Sequence, residues 1–279
     1  MRLISSLSEN LTAHLPNQIE MKENEEFVHK EQITDFLLLI LRISEMEIRN
    51  STNFDKVFQK RLKFQKQTDW KRFRASVDLL NDTEYGIISA FTYQLGDLEN
   101  DNNDVGEINL RLYGILNAVY LQINAFKEVA VLLNYSSRDR IFDTFNKMDI
   151  YKLRGIAGSH TVDYVYDKET IKNNPTICRN TSFRIVQSYL EETGKKITVV
   201  DENGIWLEYN LISLLTEYEK TATDLLIKII RFAIKKLILN KEERKEIEKR
   251  LNESIPKLID YTLLDKNKNY WKRGNKNLD

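Results

Sequence analysis

The chain has 279 residues with 42 basic and 42 acidic side chains, so its formal charge near neutral pH is zero. Zero net charge excludes a uniformly basic nucleic-acid-binding protein, although it permits a local basic surface. The single cysteine, Cys178, excludes an intrachain disulfide and a cysteine-rich zinc site. Only nine glycines and three prolines interrupt the chain, which is typical of a mostly helical protein.

Signals for secretion or membrane insertion are not found in this sequence. Its N-terminal residues have no continuous apolar stretch like that of a signal peptide. Charged residues interrupt every hydrophobic segment, and the apolar runs are far shorter than the ~20 residues of a spanning helix. The sequence therefore predicts a cytoplasmic protein that does not cross a membrane.

Residues 1–100 are predicted to form an N-terminal helical region. Apolar residues within 31–48 follow the spacing of one helix face, and 83–95 resembles a short buried helix. Between them, the stretch 56–74 has eight basic residues and one acidic residue, interleaved with aromatic residues. Such a stretch is a candidate for binding a phosphate backbone, although a solvated helix with its aromatic residues in the core explains the same pattern. The candidate nucleic-acid-binding residues are Lys60, Arg61, Lys63, Lys71, Arg72 and Arg74.

Residues 101–279 are predicted to form a second helical domain, which begins after a polar loop at 98–106. The strongest helix signal in the chain lies at 107–134, where apolar residues recur at gaps of three and four. They are Ile108, Leu112, Ile115, Val119, Ile123, Phe126, Ala130 and Leu133. Further helices are predicted at 138–148, from Ile150 with Asp149 as N-cap, at 211–239 and at 241–250.

A small β element is predicted within the second domain, near 182–209. Residues 167–181 resemble a loop, whereas 182–190 is rich in β-branched and aromatic residues. Residues 196–200 and 205–209 flank an Asn-Gly pair, which is typical of a tight hairpin. The predicted fold class is therefore mainly α: a helical bundle with a small antiparallel β-hairpin insertion.

One segment, 149–167, carries the residues with the clearest chemical interest. Arg154 and His160 stand six residues apart, with Gly155 and Gly158 between them. Each glycine inside a helix costs ~1 kcal/mol relative to alanine, so we expect close approach by a helix, a second subunit or a ligand. Familiar nucleotide-binding, hydrolase and metalloprotease motifs are missing from the sequence, and we predict neither a metal nor a cofactor.

Arginine and histidine together suit phosphate chemistry. Guanidinium holds a phosphate oxygen bidentately, and imidazole takes a hydroxyl proton near neutral pH. On an ideal helix, however, six residues place the two side chains ~120° apart. A helix end near Ser159, or two copies that meet across a twofold axis, would bring these groups together.

The helix that contains Tyr113-Gly-Ile-Leu-Asn-Ala-Val-Tyr, followed by Leu153-Arg154-Gly-Ile-Ala-Gly-Ser-His160, resembles the HEPN superfamily of small helical proteins. The signature of that family is an arginine, then four to six residues, then a histidine. The resemblance covers roughly 107–166. It implies a metal-independent ribonuclease whose signature helices pair in a homodimer, often a toxin or a defence component with a partner or antitoxin protein.

Carried over to this chain, the resemblance implies that Arg154 binds the scissile phosphate of RNA and His160 assists transfer from the ribose 2′-hydroxyl. Candidate supporting residues are Asn117 and Asn124, which share a helix face, Asp163, which follows His160 by three residues, and Tyr164, which could stack on a base. Solvent exposure of the two asparagines, a local surface contact of Asp163 and core packing of Tyr164 explain the same residues without a site. Many active members have a polar residue after the arginine, where this chain has Gly155. The alternative prediction is therefore a non-catalytic helical dimer that binds a partner protein or a nucleotide.

Overall fold

The computed structural model describes most of the second half of the chain and parts of the first. The described residues are 33–37, 39–40, 64, 66, 68–93, 95, 105–158, 164–165, 172, 180–186, 196–202 and 204–257. The fold is mainly α with a small antiparallel sheet, as the sequence predicts. Residues 33–37 and 39–40 are helical, with Ile33, Leu37 and Ile40 buried, which confirms this part of the predicted helix at 31–48.

Within the described residues, four helices follow the helical residues 33–37 and 39–40 and precede the sheet. They are α1 (Asp69–Tyr93), α2 (Val105–Leu132), α3 (Arg138–Lys147) and α4 (Asp149–Gly158). The prediction of a short helix at 83–95 was wrong, because this segment continues a 25-residue helix that starts in the basic stretch. Phe73, Val77 and Leu80 extend its buried face toward the N-terminus. Asp149 is the first residue of α4 rather than its N-cap.

Two small sheets follow α4. Strands β1 (Tyr164–Val165) and β2 (Asn180–Thr181) pair antiparallel, so the prediction that 167–181 is entirely loop was wrong at its end. Strands β3 (Phe183–Ile185), β4 (Lys196–Asp201) and β5 (Trp206–Asn210) form an antiparallel sheet in the order β3-β4-β5. The chain then continues into α5 (Leu211–Leu237), α6 (Lys241–Ser254) and a short 3₁₀ helix (Ile255–Lys257).

The β4–β5 hairpin confirms the predicted Asn-Gly turn. Gly204 has φ +78, a left-handed conformation that glycine adopts without strain. The Asp201 carboxylate accepts a hydrogen bond from the backbone N–H of Ile205 at 2.7 Å and so closes the turn. Strand β3 pairs with β4 on the other side, with Arg184 opposite Val200.

Asparagine residues stand at three of the described helix ends, at two of them with a side-chain cap and at the third with a left-handed backbone. The Asn210 side chain accepts a hydrogen bond from the backbone N–H of Ser213 at the start of α5, and that of Asn240 caps α6 in the same way. Helix α2 is followed by Asn134 with φ 51, a left-handed conformation that asparagine tolerates better than most residues. These caps satisfy backbone groups that the helices cannot satisfy internally.

Helix α2 is the centre of the bundle. Its predicted apolar stripe, from Ile108 to Leu133, is buried at every position, and α1, α3 and α4 all pack against α2. Helix α1 approaches closely where Gly86 faces Ala118, since a Cβ atom on Gly86 would lie 3.4 Å from the Ala118 Cβ. One hydrophobic cluster includes residues on both sides of position 100, and the predicted domain boundary there stays a prediction.

A buried polar network links α1, α2 and α5 within this core. The Tyr218 hydroxyl donates a hydrogen bond to Gln122 Oε1 at 2.7 Å. The Gln122 amide donates to Glu84 Oε2 and to the Leu80 carbonyl, each at 3.2 Å. Burial, together with the negative charges of Glu219 and Glu84, raises the pKa of Tyr218 well above its usual 10.0. The network therefore keeps the Tyr218 phenol protonated as a hydrogen-bond donor.

By length and composition alone, α2 is apolar enough to cross a membrane. Of its most apolar 18-residue window, 56% is buried inside the protein. Core helices of water-soluble proteins pass the same test, so this property is weak evidence for a membrane span.

Candidate functional site

A polar and aromatic stripe runs along the face of α2 opposite Gln122. Its residues recur at gaps of four and three, which places them within about 40° of one line along the helix. They are Tyr113, Asn117, Tyr120, Asn124 and Lys127. The predicted supporting residues Asn117 and Asn124 thus flank Tyr120 on α2, the central helix of the bundle.

Arg154 of α4 packs against this stripe of α2. Its guanidinium carbon is 3.9 Å from the centre of the Tyr120 ring, a close cation–π contact between α4 and α2. Arg154 is half-buried. The aromatic ring therefore fixes the position of a guanidinium that solvent still reaches.

Lys127 is a second cation on the same surface. Its ammonium nitrogen lies 5.4 Å from the centre of the Tyr151 ring and 5.5 Å from that of Phe142, and it donates a hydrogen bond to Asn146 Oδ1 at 3.1 Å. The Tyr120 and Tyr151 rings are themselves 6.2 Å apart. Burial lowers the pKa of Lys127 from its usual 10.5, although Tyr120 acts in the opposite direction. The two cations and two tyrosines form one continuous surface, the cation–tyrosine surface: Tyr120, Lys127, Tyr151 and Arg154.

Neither cation of this surface has a carboxylate partner in the part of the chain that the structure describes. At the helical spacings of three and four residues, Arg154 is flanked by Ile150, Tyr151, Ala157 and Gly158, and Lys127 by Ile123, Asn124, Ala130 and Val131. Other cations of α2 and α4 do pair at these spacings: Arg111 with Glu107 at 2.5 Å, and Lys152 with Asp149 at 3.0 Å. The cation–tyrosine surface therefore presents two positive charges that no described acid neutralises.

The other predicted catalytic residue, His160, lies outside the described residues, and so does Asp163. Strand β1 contains Tyr164, whose backbone pairs with Thr181, while its side chain is outside the description. Helix α4 ends at Gly158, two residues before His160. The predicted convergence of Arg154 and His160 therefore stays a prediction.

The predicted basic surface is described only in part. Lys60, Arg61 and Lys63 lie outside the described residues, whereas Lys71, Arg72 and Arg74 are exposed on α1. Arg72 forms ion pairs with Asp69, at 3.0 Å, and with Glu128 of α2. Two carboxylates therefore compete with phosphate for Arg72. Phe73 is fully buried and Trp70 is half-buried, as expected for a helix that turns its aromatic residues to the core.

Sequence reasoning did not single out Tyr120, Lys127 or Tyr151. The signal for Tyr120 and Lys127 is present in the sequence, because they continue the spacing of Tyr113, Asn117 and Asn124. The role of Tyr151 depends on the packing of α4 against α2, which no local pattern encodes.

An exposed apolar patch lies near the N-terminus of α2. Leu110 is 72% exposed and Tyr113 is 38% exposed. A Cβ atom on nearby Gly114 would meet nothing within 4 Å. Burial raises the pKa of the Tyr113 phenol, so it is a neutral side chain near neutral pH.

Metal ligands do not cluster in the described ranges: no group of three His, Cys, Asp or Glu side chains there is placed to hold a metal ion.

Comparison with known proteins finds no matching family model, no matching curated protein and no matching solved structure. The resemblance to the HEPN superfamily therefore rests on the residues of this chain alone.

Proposed function

We propose that the protein is a metal-independent endoribonuclease of the HEPN type that acts as a homodimer. The observation that supports this most directly is the Arg154 guanidinium, held over the Tyr120 ring without a carboxylate partner among the described residues. An arginine positioned in this way keeps its N–H groups available for a phosphate. Asn117 and Asn124 flank Tyr120 on α2 and carry amide groups that suit RNA.

In the proposed reaction, Arg154 binds the non-bridging oxygens of the scissile phosphate. His160 accepts the proton of the ribose 2′-hydroxyl, whose oxygen attacks phosphorus while the bond to the 5′-oxygen breaks. The 5′-oxygen takes up a proton from water as it leaves, and the imidazolium of His160 afterwards returns its proton to solvent. The products are a 2′,3′-cyclic phosphate and a free 5′-hydroxyl, and no oxidant or metal is required by this balance.

The test is incubation of the purified protein with mixed RNA and EDTA. We expect cleavage by the wild type and its loss in His160→Ala and in Arg154→Ala. The matched control is Arg184→Ala, because Arg184 is an exposed arginine on β3, away from α2 in sequence. Cleavage that requires a divalent ion, or a His160→Ala variant as active as the wild type, would contradict the mechanism.

A second candidate is a non-catalytic helical dimer that binds a partner protein or a nucleotide. The exposed Leu110 and Tyr113 favour a protein partner, because they leave apolar surface in water near the N-terminal end of α2. Intact RNA after incubation with a folded wild-type protein would favour this candidate over the nuclease.

A further inference from the structure

The proposed nuclease uses Arg154, one of the two cations of the cation–tyrosine surface. The other cation, Lys127, has no role in that reaction. Lys127 sits beside two aromatic rings, so part of its hydration is replaced by contacts that carry no full negative charge. Its one hydrogen-bond partner among the described residues is the neutral Asn146 side chain. An anion at Lys127 would restore the charge compensation that the surroundings do not provide.

The acid nearest to Lys127 in sequence does not provide this compensation. Glu128 forms an ion pair with Arg72 of α1 and belongs to the neighbouring face of α2. Helix α4 contributes Tyr151 and Arg154 to the surface, and α3 contributes Phe142 and Asn146. None of these four side chains is acidic.

Arg154 and Lys127 stand at the two ends of one aromatic row. Arg154 lies over Tyr120, Tyr120 adjoins Tyr151, and Lys127 lies beside Tyr151. Successive cations that alternate with aromatic rings are the arrangement by which proteins follow a single-stranded nucleic acid, since cations contact phosphates and rings contact bases. A single phosphate at Arg154 would leave the Lys127 end of the row unused.

We propose that Lys127 binds a second phosphate of a single-stranded RNA, on the same strand as the phosphate held by Arg154, and so positions the substrate along α2. This proposal rests on the proposed function for its choice of RNA. Lys127 is a positioning residue here and takes no part in proton transfer. Its loss should therefore weaken RNA binding while leaving the cleavage step of bound RNA unchanged.

The experiment measures binding and cleavage separately. Binding is followed by fluorescence anisotropy with a labelled, 2′-O-methylated RNA of about twelve nucleotides, which lacks the attacking hydroxyl. We expect Lys127→Met to weaken binding about fivefold and to reduce the salt dependence by about 0.7, the contribution of one phosphate contact on a single strand. Lys127→Arg should retain both. The matched control is Lys228→Met, because Lys228 is an exposed lysine on α5.

Cleavage of unmodified RNA under single-turnover conditions supplies the second measurement. At saturating enzyme, Lys127→Met should cleave at the wild-type rate, whereas Arg154→Ala should not. If the wild type binds RNA without cleaving it, the nuclease proposal fails. The affinity and salt dependence of Lys127→Met still decide whether Lys127 binds a phosphate. Cleavage with unchanged affinity and salt dependence in Lys127→Met would overturn the proposal for Lys127 and leave the nuclease intact.

A measurement on the wild-type protein covers the case in which Lys127→Met does not fold. Lysine acetylation, followed by mass spectrometry with and without the methylated RNA, reports which ammonium groups RNA covers. We expect protection of Lys127 and no protection of Lys228. Equal labelling of Lys127 in both samples, or an absence of any RNA binding by the wild type, would overturn the proposal.

Discussion

The substitution Tyr218→Phe tests the polar network inside the bundle. It deletes one oxygen atom and so removes the donor to Gln122 Oε1, a contact of 2.7 Å between α5 and α2. Both side chains are fully buried, and water does not replace the lost donor. Removing one partner of a fully buried hydrogen bond costs about 2 kcal/mol in the free energy of unfolding. For a chain of this size, that corresponds to a lowering of Tm by roughly 3 °C.

Urea denaturation followed by far-UV circular dichroism measures this cost. The matched control is Tyr113→Phe, which removes the same atom from an exposed tyrosine of α2 and should change stability by less than about 0.5 kcal/mol. If Tyr218→Phe costs no more than Tyr113→Phe, the reasoning from the buried hydrogen bond is refuted.

The pH dependence of the free energy of unfolding at alkaline pH is a second, independent measurement on Tyr218→Phe. The folded pKa of Tyr218 is raised above its unfolded value, so the protonated phenol stabilises the fold fully below about pH 10. Above that pH the unfolded chain ionises first, and this contribution is lost as the pH rises. Phenylalanine has no such titration. The destabilisation caused by Tyr218→Phe should therefore shrink by about 1.4 kcal/mol between neutral pH and about pH 11. A difference that stays constant over this range would contradict the pKa shift.

Two further substitutions probe the surface of α2. Gly114→Ala should raise the free energy of unfolding by about 0.5 to 1 kcal/mol, because a Cβ atom there meets nothing within 4 Å and alanine favours the helix. Urea titration measures this change, and a lower stability of the variant would show that the space around Gly114 is not open. Tyr120→Leu should weaken RNA binding about fivefold, because the cation–π contact that holds Arg154 in place is worth about 1 kcal/mol and RNA would have to order the arginine side chain without it. Tyr120→Phe should bind like the wild type, and equal losses in both variants would assign the effect to the hydroxyl instead.

Local patterns predicted the elements of this fold where one periodicity dominates. The apolar stripe of α2 recurs at gaps of three or four residues over about seven helical turns. The Asn-Gly pair specifies a tight turn by its backbone preferences alone. Helix α1 begins at Asp69 rather than at 83, and Glu84 occupies one of its core positions between Leu80 and Ile87. A carboxylate there interrupts the apolar pattern, and the hydrogen bond that it accepts from Gln122 helps to explain its burial.

The candidate site was predictable only in the part that lies within one helix. Arg154 stood out because of its neighbours in sequence, and Asn117 and Asn124 because of their spacing on one face. The contact of Arg154 with Tyr120 joins two helices that are separated by α3, and the direction of α4 depends on its packing against α2, α5 and β3. No periodicity within a single segment contains that information.

The two polar features of the bundle lie on opposite faces of α2. Gln122 is about 180° from Tyr113 around the helix axis, so the buried network and the stripe that carries Tyr120 and Lys127 face away from each other. Apolar contacts alone tolerate small rotations of a helix, whereas hydrogen bonds restrict them because they demand direction as well as distance. The bonds of Gln122 to α1 and α5 therefore fix the rotation of α2 about its axis. That rotation determines where Tyr120 meets Arg154, and thus the core network sets the direction in which the candidate site faces.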